Sequence, residues 1–285
     1  MSKTLNKKIF FISVLFAIIL IIGCSSNQDD AFPYEQRVDD FGIPMVFVPA
    51  GEFLMGIDKD QAEVNGENAV PAHTVMLDDY YIDVFEVTNG AYHVCVDAGA
   101  CSPLAREEKA VNDIYISMED FDTSPVMYLS WNDAKTYCEW RGARLPTEAE
   151  WEKAARGTDG RTYPWGEETD CSYANYGLRS ENGTECFQGH ILPVGSYPKG
   201  VSPYGAYDMA GNVSEWVQDC YIEDFYSQLS DGVENPIGIG NQNCSRIQRG
   251  GAAGDSPINI KTYRREPVTS DYTDYWSGVR CAWSP

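Results

Sequence analysis

Residues 144–157, RLPTEAEWEKAARG, give the clearest indication of structure in this chain. Pro146 suits the first helical position, where its missing N–H costs nothing. Thr147 and Glu150 have the spacing of a capping box, in which each residue satisfies a backbone N–H of the other. Helix-forming residues follow as far as Gly157, which can end the helix. The stretch therefore predicts one short, well-capped helix.

Several short motifs surround this helix in a fixed order. They are WNDA (131–134) and YCEW (137–140) before it, then YPWG (163–166), GAYDMAGNVSEW (205–216), RGG (249–251) and GVRCA (278–282). Together they resemble the formylglycine-generating enzyme family, also called the sulfatase-modifying factor domain, over about residues 38–284. The resemblance implies an α+β fold that is a variant of the C-type lectin fold, loop-rich, with short mixed strands and disulfide staples.

Local patterns add several elements to this expectation. Residues 38–55 and 73–84 alternate apolar and polar side chains and are predicted to be strands. Residues 83–89 resemble the entry into the family's first helix, with Thr88 as its cap and Tyr92 packing inward. Trp151 and Ala155 lie on one face of the helix described above and are predicted to be core residues. The histidines, His73, His93 and His190, have no metal-ligand spacing and are assigned structural or surface roles.

The first 23 residues have the features of a bacterial lipoprotein signal peptide. A lysine-containing start precedes an apolar run over residues 9–22, which suits a signal peptide better than a membrane span. The ending Ile21-Ile22-Gly23-Cys24 resembles a lipobox, in which the Cys24 thiol carries lipid. An ordinary signal peptide with an incidental cysteine is the alternative.

This interpretation predicts three segments and a location. Residues 1–23 would be the signal peptide, 24–37 the lipidated cysteine with a polar tether, and 38–285 the domain. Acyl chains on Cys24 would anchor the protein to a membrane of the bacterial cell envelope. Ser25 is not the aspartate of an inner-membrane retention signal, so the outer membrane is favoured, on its periplasmic face or at the cell surface.

The charge of the chain limits its partners. The formal net charge is −22, and removal of Lys3, Lys7 and Lys8 with the signal peptide makes it −25. Nucleic acid is therefore disfavoured as a partner. A surface this acidic suits solvation, cation binding or a basic partner.

The cysteines indicate an oxidising compartment. With Cys24 committed to lipid, an even number remains, which in an exported chain predicts disulfides. Proximity in sequence suggests Cys95 with Cys101, Cys171 with Cys186, and Cys220 with Cys244. The family resemblance implies that Cys138, in the predicted helix before residue 144, pairs with Cys281 of the Gly-Val-Arg-Cys motif.

The resemblance also implies two structural calcium sites. At the first, the candidate ligands are the Asn175 side chain, the Tyr176 and Phe187 carbonyls, and the Glu185 carboxylate, where the family has aspartate. Calcium takes several hard oxygen ligands, so this mixture is chemically reasonable. The alternative is a loop held by the Cys171–Cys186 disulfide alone.

The second calcium loop lies in the motif GNVSEW. Its candidate ligands are the carbonyls of Ala210, Gly211 and Val213 and the carboxylate of Glu215. Gly211 would permit a turn that aims several carbonyls at one point. A purely structural turn is the alternative.

Catalytic copper, by contrast, is not expected. The resembled oxidases bind copper through two cysteines five residues apart, and those positions are Asp255 and Ile260 here. Neither residue can supply the thiolate that soft Cu(I) requires. A second family disulfide is also missing, because Ala155 and Arg265 stand where its cysteines would be. Asp255 with Arg249 or Arg264 could form an acid–base group, although structural ion pairs are the simpler explanation for such charges.

The same region has the composition of a recognition surface. Short polar groups that can adapt their hydrogen bonds are interspersed with rigid aromatic rings. The candidate binding residues are Asp255, Ser256, Asn259, Tyr263, Arg264, Asp271, Tyr272, Tyr275 and Trp276. The alternative is that these residues merely cap the core.

Two classes of function follow from these observations. The favoured one is a non-catalytic envelope lipoprotein that acts in binding or structural assembly, with a peptide, a glycan or an envelope protein as its partner. The other is an oxidoreductase of the parent class, which would convert a substrate cysteine to formylglycine. Altered chemistry in the same cleft is a third possibility.

Overall fold

Short strands and helices joined by long loops form the protein in a computed structural model, which describes residues 34–62, 67–104, 120–177, 186, 188 and 190–285. The α-helices among these residues are α1 (Asn89–Asp97), α2 (Trp131–Trp140), α3 (Glu148–Arg156) and α4 (Phe225–Gln228). Short 3-10 helices occupy Glu67–Ala69, Phe121–Thr123 and Pro198–Gly200. This is the mixed, loop-rich α+β architecture that the motifs predict.

The strands of the described residues form three small sheets. The first is antiparallel and contains, in spatial order, β1 (Gln36–Val38), β2 (Pro44–Val48), β5 (Tyr80–Asp83) and β11 (Ala282–Trp283). The second contains β10 (Ser277–Gly278), β6 (Ser214–Cys220), β8 (Arg246–Arg249) and β9 (Glu266–Val268), with β10 and β6 parallel. The third contains β3 (Gly51–Met55), β4 (His73–Leu77) and β7 (Val233–Glu234). The strands predicted at residues 38–55 and 73–84 are thereby confirmed as β2, β3, β4 and β5.

Helix α3 begins and ends where its capping signals place it. The Thr147 hydroxyl accepts from the Glu150 N–H at 3.2 Å, and the Glu150 carboxylate accepts from the Thr147 N–H at 2.8 Å. Gly157 caps the C-terminus with φ 70°. The position predicted for Pro146 is wrong by two residues, because Thr147 is the N-cap and Glu148 the first helical residue. The Pro146 carbonyl instead accepts a hydrogen bond from the Gln218 N–H of β6 at 2.8 Å.

Helix α3 is buried on its charged side as well as on the face of Trp151 and Ala155. The Glu148 carboxylate receives hydrogen bonds from Arg249 at 2.8 Å and from Arg265 at 2.7 Å. These arginines arrive from β8 and from the residue before β9. The helix is therefore a buried element, and its Glu148 carboxylate is neutralised by arginines that are distant in sequence.

The first helix also starts as predicted. The Thr88 hydroxyl caps α1 by accepting from the Ala91 N–H at 3.2 Å. Tyr92 is buried and stacks on Tyr137 of α2, with ring centres 5.6 Å apart.

All four predicted disulfides are present. They are Cys95–Cys101, Cys138–Cys281, Cys171–Cys186 and Cys220–Cys244. The Cys138–Cys281 bridge spans 143 residues and links α2 to the residue before β11. The long bridge therefore fastens the last strand of the chain to the helical part of the core.

The N-terminal predictions concern a part of the chain that is not described. The signal peptide, Cys24 and the tether up to residue 33 lie outside the described residues. Within the part that is described, no helix is long and apolar enough to cross a membrane.

Candidate ligand-binding cleft

A cleft of about 610 Å³ opens beside the second sheet. Its walls come from three strands, through Ser214 of β6, Gln248 of β8 and Glu266 of β9, and from two loops of the C-terminal region. Five of the nine residues predicted as a binding surface line it: Asp255, Asn259, Arg264, Tyr272 and Trp276. The sequence interpretation therefore located the loops of this cleft but not its strands.

The other four predicted residues do not line the cleft. Tyr263 is only 7% exposed and lies near two cationic side chains, those of Arg156 and Lys261. Ser256, Asp271 and Tyr275 are at least partly exposed but lie outside the lining. Tyr275 packs against Trp276, which lines the cleft, with ring centres 4.5 Å apart.

Asp255 organises the loop in which it lies. Its Oδ2 accepts from the Ala252 N–H at 2.8 Å, and its Oδ1 accepts from the Asn259 amide at 3.2 Å. Its backbone carbonyl accepts from the Gly177 N–H at 2.7 Å. The carboxylate is thus fixed by neutral donors at the edge of the cleft.

The suggested acid–base group with Asp255 does not form. Arg249 is fully buried and pairs with Glu148 and Glu152 of α3. Arg264 instead pairs with Glu266 at 2.7 Å. Both guanidinium groups are therefore held by other carboxylates, and each arginine has a structural ion pair.

Ile260 has become part of the core. It is fully buried in a cluster with Tyr163, Tyr176 and Ala210. It does not line the cleft. One of the two positions at which the family oxidases hold copper is thus occupied here by an apolar side chain that points into packed protein.

Asp274 fixes a second loop that lines the cleft. Its Oδ2 accepts from the Tyr272 hydroxyl at 2.8 Å, and its Oδ1 accepts from the Trp276 N–H at 3.0 Å and the Ser277 hydroxyl at 2.6 Å. The hydrogen bond to Asp274 raises the pKa of Tyr272 to about 12, because an ionised phenol could no longer donate it. A side chain at Gly254 would approach the Trp276 ring to 2.9 Å, so glycine lets the indole close this wall.

The sequence interpretation missed Gln248, which forms part of the cleft floor. It lies on β8 between Glu266 of β9 and Trp216 of β6, and only 6% of its surface is exposed. Its Nε2 donates to the Ser277 hydroxyl at 2.8 Å. The available signal was an amide in a buried strand immediately before the Arg-Gly-Gly motif.

The first calcium loop is only partly described. Asn175 is buried, and its amide donates to the His190 carbonyl at 3.0 Å, while its Oδ1 accepts from the Gln188 N–H at 3.4 Å. Tyr176 packs in the cluster around Ile260. Two of the four candidate ligands, Glu185 and Phe187, lie outside the described residues.

The second calcium loop has ligand-like carbonyls but an unsuitable carboxylate. The carbonyls of Ala210, Gly211 and Val213 accept no hydrogen bond from any residue that the structure describes. Glu215 does not fit a calcium ligand, because the Arg280 guanidinium lies 2.6 Å from one of its oxygens and 2.7 Å from the other. A cation there would be repelled by that guanidinium.

The turn that carries this loop is held by protein groups. Glu86 accepts from the Asn212 amide at 2.8 Å and from the Val213 N–H at 3.0 Å. Burial raises the pKa of Glu86 well above its usual range. Within the described ranges, no three His, Cys, Asp or Glu side chains come together as a metal site.

Comparison with known proteins shows which family the chain resembles in sequence. Residues 33–285 match the sulfatase-modifying factor enzyme 1-like domain. The chain is 31% identical over 287 residues to the formylglycine-generating enzyme of Mus musculus, covering 84% of this chain and 74% of that protein. It is 34% identical over 220 residues to the mouse protein named inactive C-alpha-formylglycine-generating enzyme 2, covering 62% of this chain and 69% of that protein.

A longer relative and a solved structure complete the comparison. The chain is 33% identical over 254 residues to the serine/threonine-protein kinase pkn1 of Chlamydia caviae, covering 84% of this chain but 37% of that protein, so it spans less than half of that relative. The structure of PvdO from Pseudomonas aeruginosa superposes with a TM-score of 0.69 at 27% identity, covering 89% of this chain and 99% of that one. With the fold, the ordered motifs and the domain match in agreement, the chain belongs to the sulfatase-modifying factor family of formylglycine-generating-enzyme-like proteins.

Proposed function

We propose that this protein is a non-catalytic binding domain of the bacterial cell envelope, and that it binds its partner through the cleft beside the second sheet. The observation that carries the proposal is what occupies the two positions at which the resembled oxidases bind copper. Asp255 is engaged by backbone and amide donors, and Ile260 is buried in the core. Neither position offers a thiolate to a soft metal ion.

The lining of the cleft supports binding as its use. Two aromatic side chains, Tyr272 and Trp276, stand beside amide and carboxylate groups in a cavity of about 610 Å³. Cavities of roughly 300 to 1,000 Å³ with a few fixed polar groups are the usual ligand sites of proteins. The candidate partners are a peptide, a glycan or an envelope protein.

The competing function is oxidation of a substrate cysteine to formylglycine. To test it, the full chain in detergent is incubated with copper, oxygen and a sulfatase-type cysteine peptide, with a formylglycine-generating enzyme assayed alongside. Mass spectrometry should show no formylglycine above the protein-free level. Conversion by this chain would overturn the non-catalytic proposal and favour the enzyme alternative.

The binding half of the proposal needs its own test. A photoreactive benzoylphenylalanine placed at Tyr272, which lines the cleft and is 43% exposed, should cross-link an envelope component in cells. The same residue at Ile239, which is 78% exposed and lies outside the cleft, is the control. Equal or absent cross-linking at both positions would contradict binding through the cleft.

We further propose that lipid on Cys24 anchors the domain to an envelope membrane, with the outer membrane favoured. A lysine-containing start, an apolar run and the Gly23-Cys24 ending support this. The full chain should incorporate labelled palmitate and fractionate with membranes. A Cys24→Ala variant should do neither, and labelling of that variant would contradict the proposal.

Structural calcium at the first loop is a further proposal, supported by the oxygen of the buried Asn175 side chain and by the neighbouring Tyr176 carbonyl. Since calcium would bind only the folded state, it should raise the thermal midpoint. The measurement is thermal unfolding with calcium, with EDTA, and with magnesium as the control. Identical midpoints in calcium and in EDTA would remove calcium from the account.

A further inference from the structure

We propose that the cleft recognises a protonated primary amine, as carried by a lysine side chain of a polypeptide or by a small free amine. This inference rests on the proposed binding function and adds the chemistry of the ligand. It comes from the charge balance of the cleft and from one buried amide.

The charged groups that line the cleft do not balance. Among the described residues that line it, there are three carboxylates, those of Asp255, Glu266 and Asp274, and one guanidinium, that of Arg264. Glu266 is paired with Arg264 at 2.7 Å. The hydrogen bonds to Asp255 and Asp274 described above all come from neutral donors, namely backbone N–H, amide and hydroxyl groups. The described lining therefore presents negative charge to an incoming ligand.

A hydrogen-bond chain behind the wall fixes the orientation of the Gln248 amide. Ser277 is fully buried, and its hydroxyl donates its single proton to Asp274 at 2.6 Å. The Ser277 oxygen must then accept from Gln248, at 2.8 Å, so the atom of Gln248 facing Ser277 is the donor Nε2. The other atom of the amide group is consequently the acceptor Oε1.

The Gln248 Oε1 is an acceptor that the described part of the chain leaves open to the cleft. Gln248 lines the cleft and is 94% buried, and no donor among the described residues reaches its Oε1. Gln248 Oε1 is not among the fully enclosed side-chain atoms that lack a partner, so this oxygen is accessible from the cleft. A ligand that brings an N–H group into the cleft would satisfy it.

A primary ammonium group matches this set of groups. It carries three N–H donors and a positive charge. The acceptors come from a strand and from two separate loops, which suits three diverging donors better than the planar fork of a guanidinium. Trp276 and Tyr272 add aromatic surface, and such rings attract an organic cation.

The experiment compares blocked peptides that differ in one side chain. The probes are acetyl-Gly-Gly-Lys-Gly-Gly-amide, the same peptide with Nε-acetyl-lysine, the same peptide with glutamate, and propylamine as a free amine. Binding to the full chain in detergent is measured by calorimetry. The lysine peptide should bind at least about tenfold more tightly than the acetyl-lysine or glutamate peptide.

Variants of the chain locate the effect. Gln248→Leu and Asp255→Asn should each weaken binding of the lysine peptide by about tenfold. Asp271→Asn changes a neighbouring exposed carboxylate outside the cleft and should leave binding unchanged. Thermal unfolding of each variant separates loss of binding from loss of fold.

The possible outcomes are distinct. Tight binding of both the lysine peptide and propylamine supports the ammonium site and indicates that a free amine is an additional source. Equal binding of the lysine and acetyl-lysine peptides, preference for glutamate, or no binding overturns the inference. If cross-linking from Tyr272 still succeeds in that case, the proposed binding function survives with a different ligand chemistry.

Discussion

Arg265 links two elements of the fold through a buried ion pair. It stands where the family has a cysteine, and its guanidinium is fully buried. It donates to Glu148 at 2.7 and 3.0 Å and to the Asn68 carbonyl at 2.8 Å, and it lies 4.3 Å from the centre of the Tyr226 ring. The ion pair therefore joins α3 to the residue before β9.

Loss of this guanidinium should be costly. Arg265→Met should lower the free energy of unfolding by about 3–5 kcal/mol, because it leaves a buried carboxylate with fewer partners. The adjacent Arg264 pairs with the half-exposed Glu266, so Arg264→Met should cost about 1 kcal/mol or less. Urea denaturation of both variants measures the difference. Equal losses would show that the buried pair contributes no more than the rim pair.

Asp219 gives the protein a pH-dependent stability term. It lies on β6 and accepts from the Glu148 N–H at 2.8 Å and the Gly238 N–H at 2.7 Å. Burial, followed by the nearby charge of Glu148, raises the pKa of Asp219 to about 7. The native state then holds a proton that the unfolded chain releases near pH 4, so this stabilisation is full below about pH 4 and is lost as pH rises through 7.

The expected loss from this group is on the order of 4 kcal/mol between pH 4 and pH 8. Asp219→Asn cannot titrate, so its stability relative to the wild type should improve as pH rises over that range. Asp97→Asn, at an exposed carboxyl of α1, is the control. Denaturation curves at several pH values test this, and a pH-independent difference for Asp219→Asn would contradict it.

At the scale of one element, α3 separates what local sequence predicts from what it cannot. The cap residues Thr147, Glu150 and Gly157 lie within the element, so their pattern was sufficient to predict its ends to within two residues. The burial of Glu148 was not predictable, because the arginines that neutralise it are 101 and 117 residues away. A charge-rich helix surface normally indicates solvent, and only tertiary contacts reverse that expectation.

The N-cap of α3 should contribute measurably to stability. Thr147→Ala removes the hydroxyl that accepts from Glu150 and should cost about 1 kcal/mol of unfolding free energy. Thr136→Ala, on the exposed surface of α2, should cost much less, since its hydroxyl only bonds to the helix backbone at Asn132. Thermal unfolding of the two variants gives the comparison, and an unchanged Thr147→Ala would mean that packing alone sets the helix start.

The same contrast applies to the elements that build the cleft. Tyr272 and Trp276 were predictable as binding residues, because rigid aromatics among short polar groups are a local feature of the sequence. Gln248 was not, since its role depends on Ser277, 29 residues later and on another strand of the same sheet. Similarly, nothing in the local sequence indicates that Tyr263 is buried near Arg156 and does not line the cleft.

At the scale of the whole molecule, one buried group joins the first two sheets. The Arg280 guanidinium donates to both oxygens of Glu215 on β6 and to the Asp83 carbonyl at the end of β5. Trp151 of α3 donates to the same carboxylate at 2.6 Å. Three of the motifs that identified the family therefore meet at the Glu215 carboxylate. Because these separate motifs contribute to one tertiary core, their presence together was sufficient to predict the fold.

The long disulfide adds a second constraint of this scale. Cys138–Cys281 closes a loop of 143 residues, whereas Cys95–Cys101 closes one of six. Chain entropy predicts a stabilisation of about 5 kcal/mol for the first and about 2 kcal/mol for the second. Replacing both cysteines of each pair by serine, and comparing urea denaturation of the two double variants, should show the larger loss for the long bridge. Because both bridges are buried, a similar loss would mean that local packing of the sulfurs matters more than the closure of the loop.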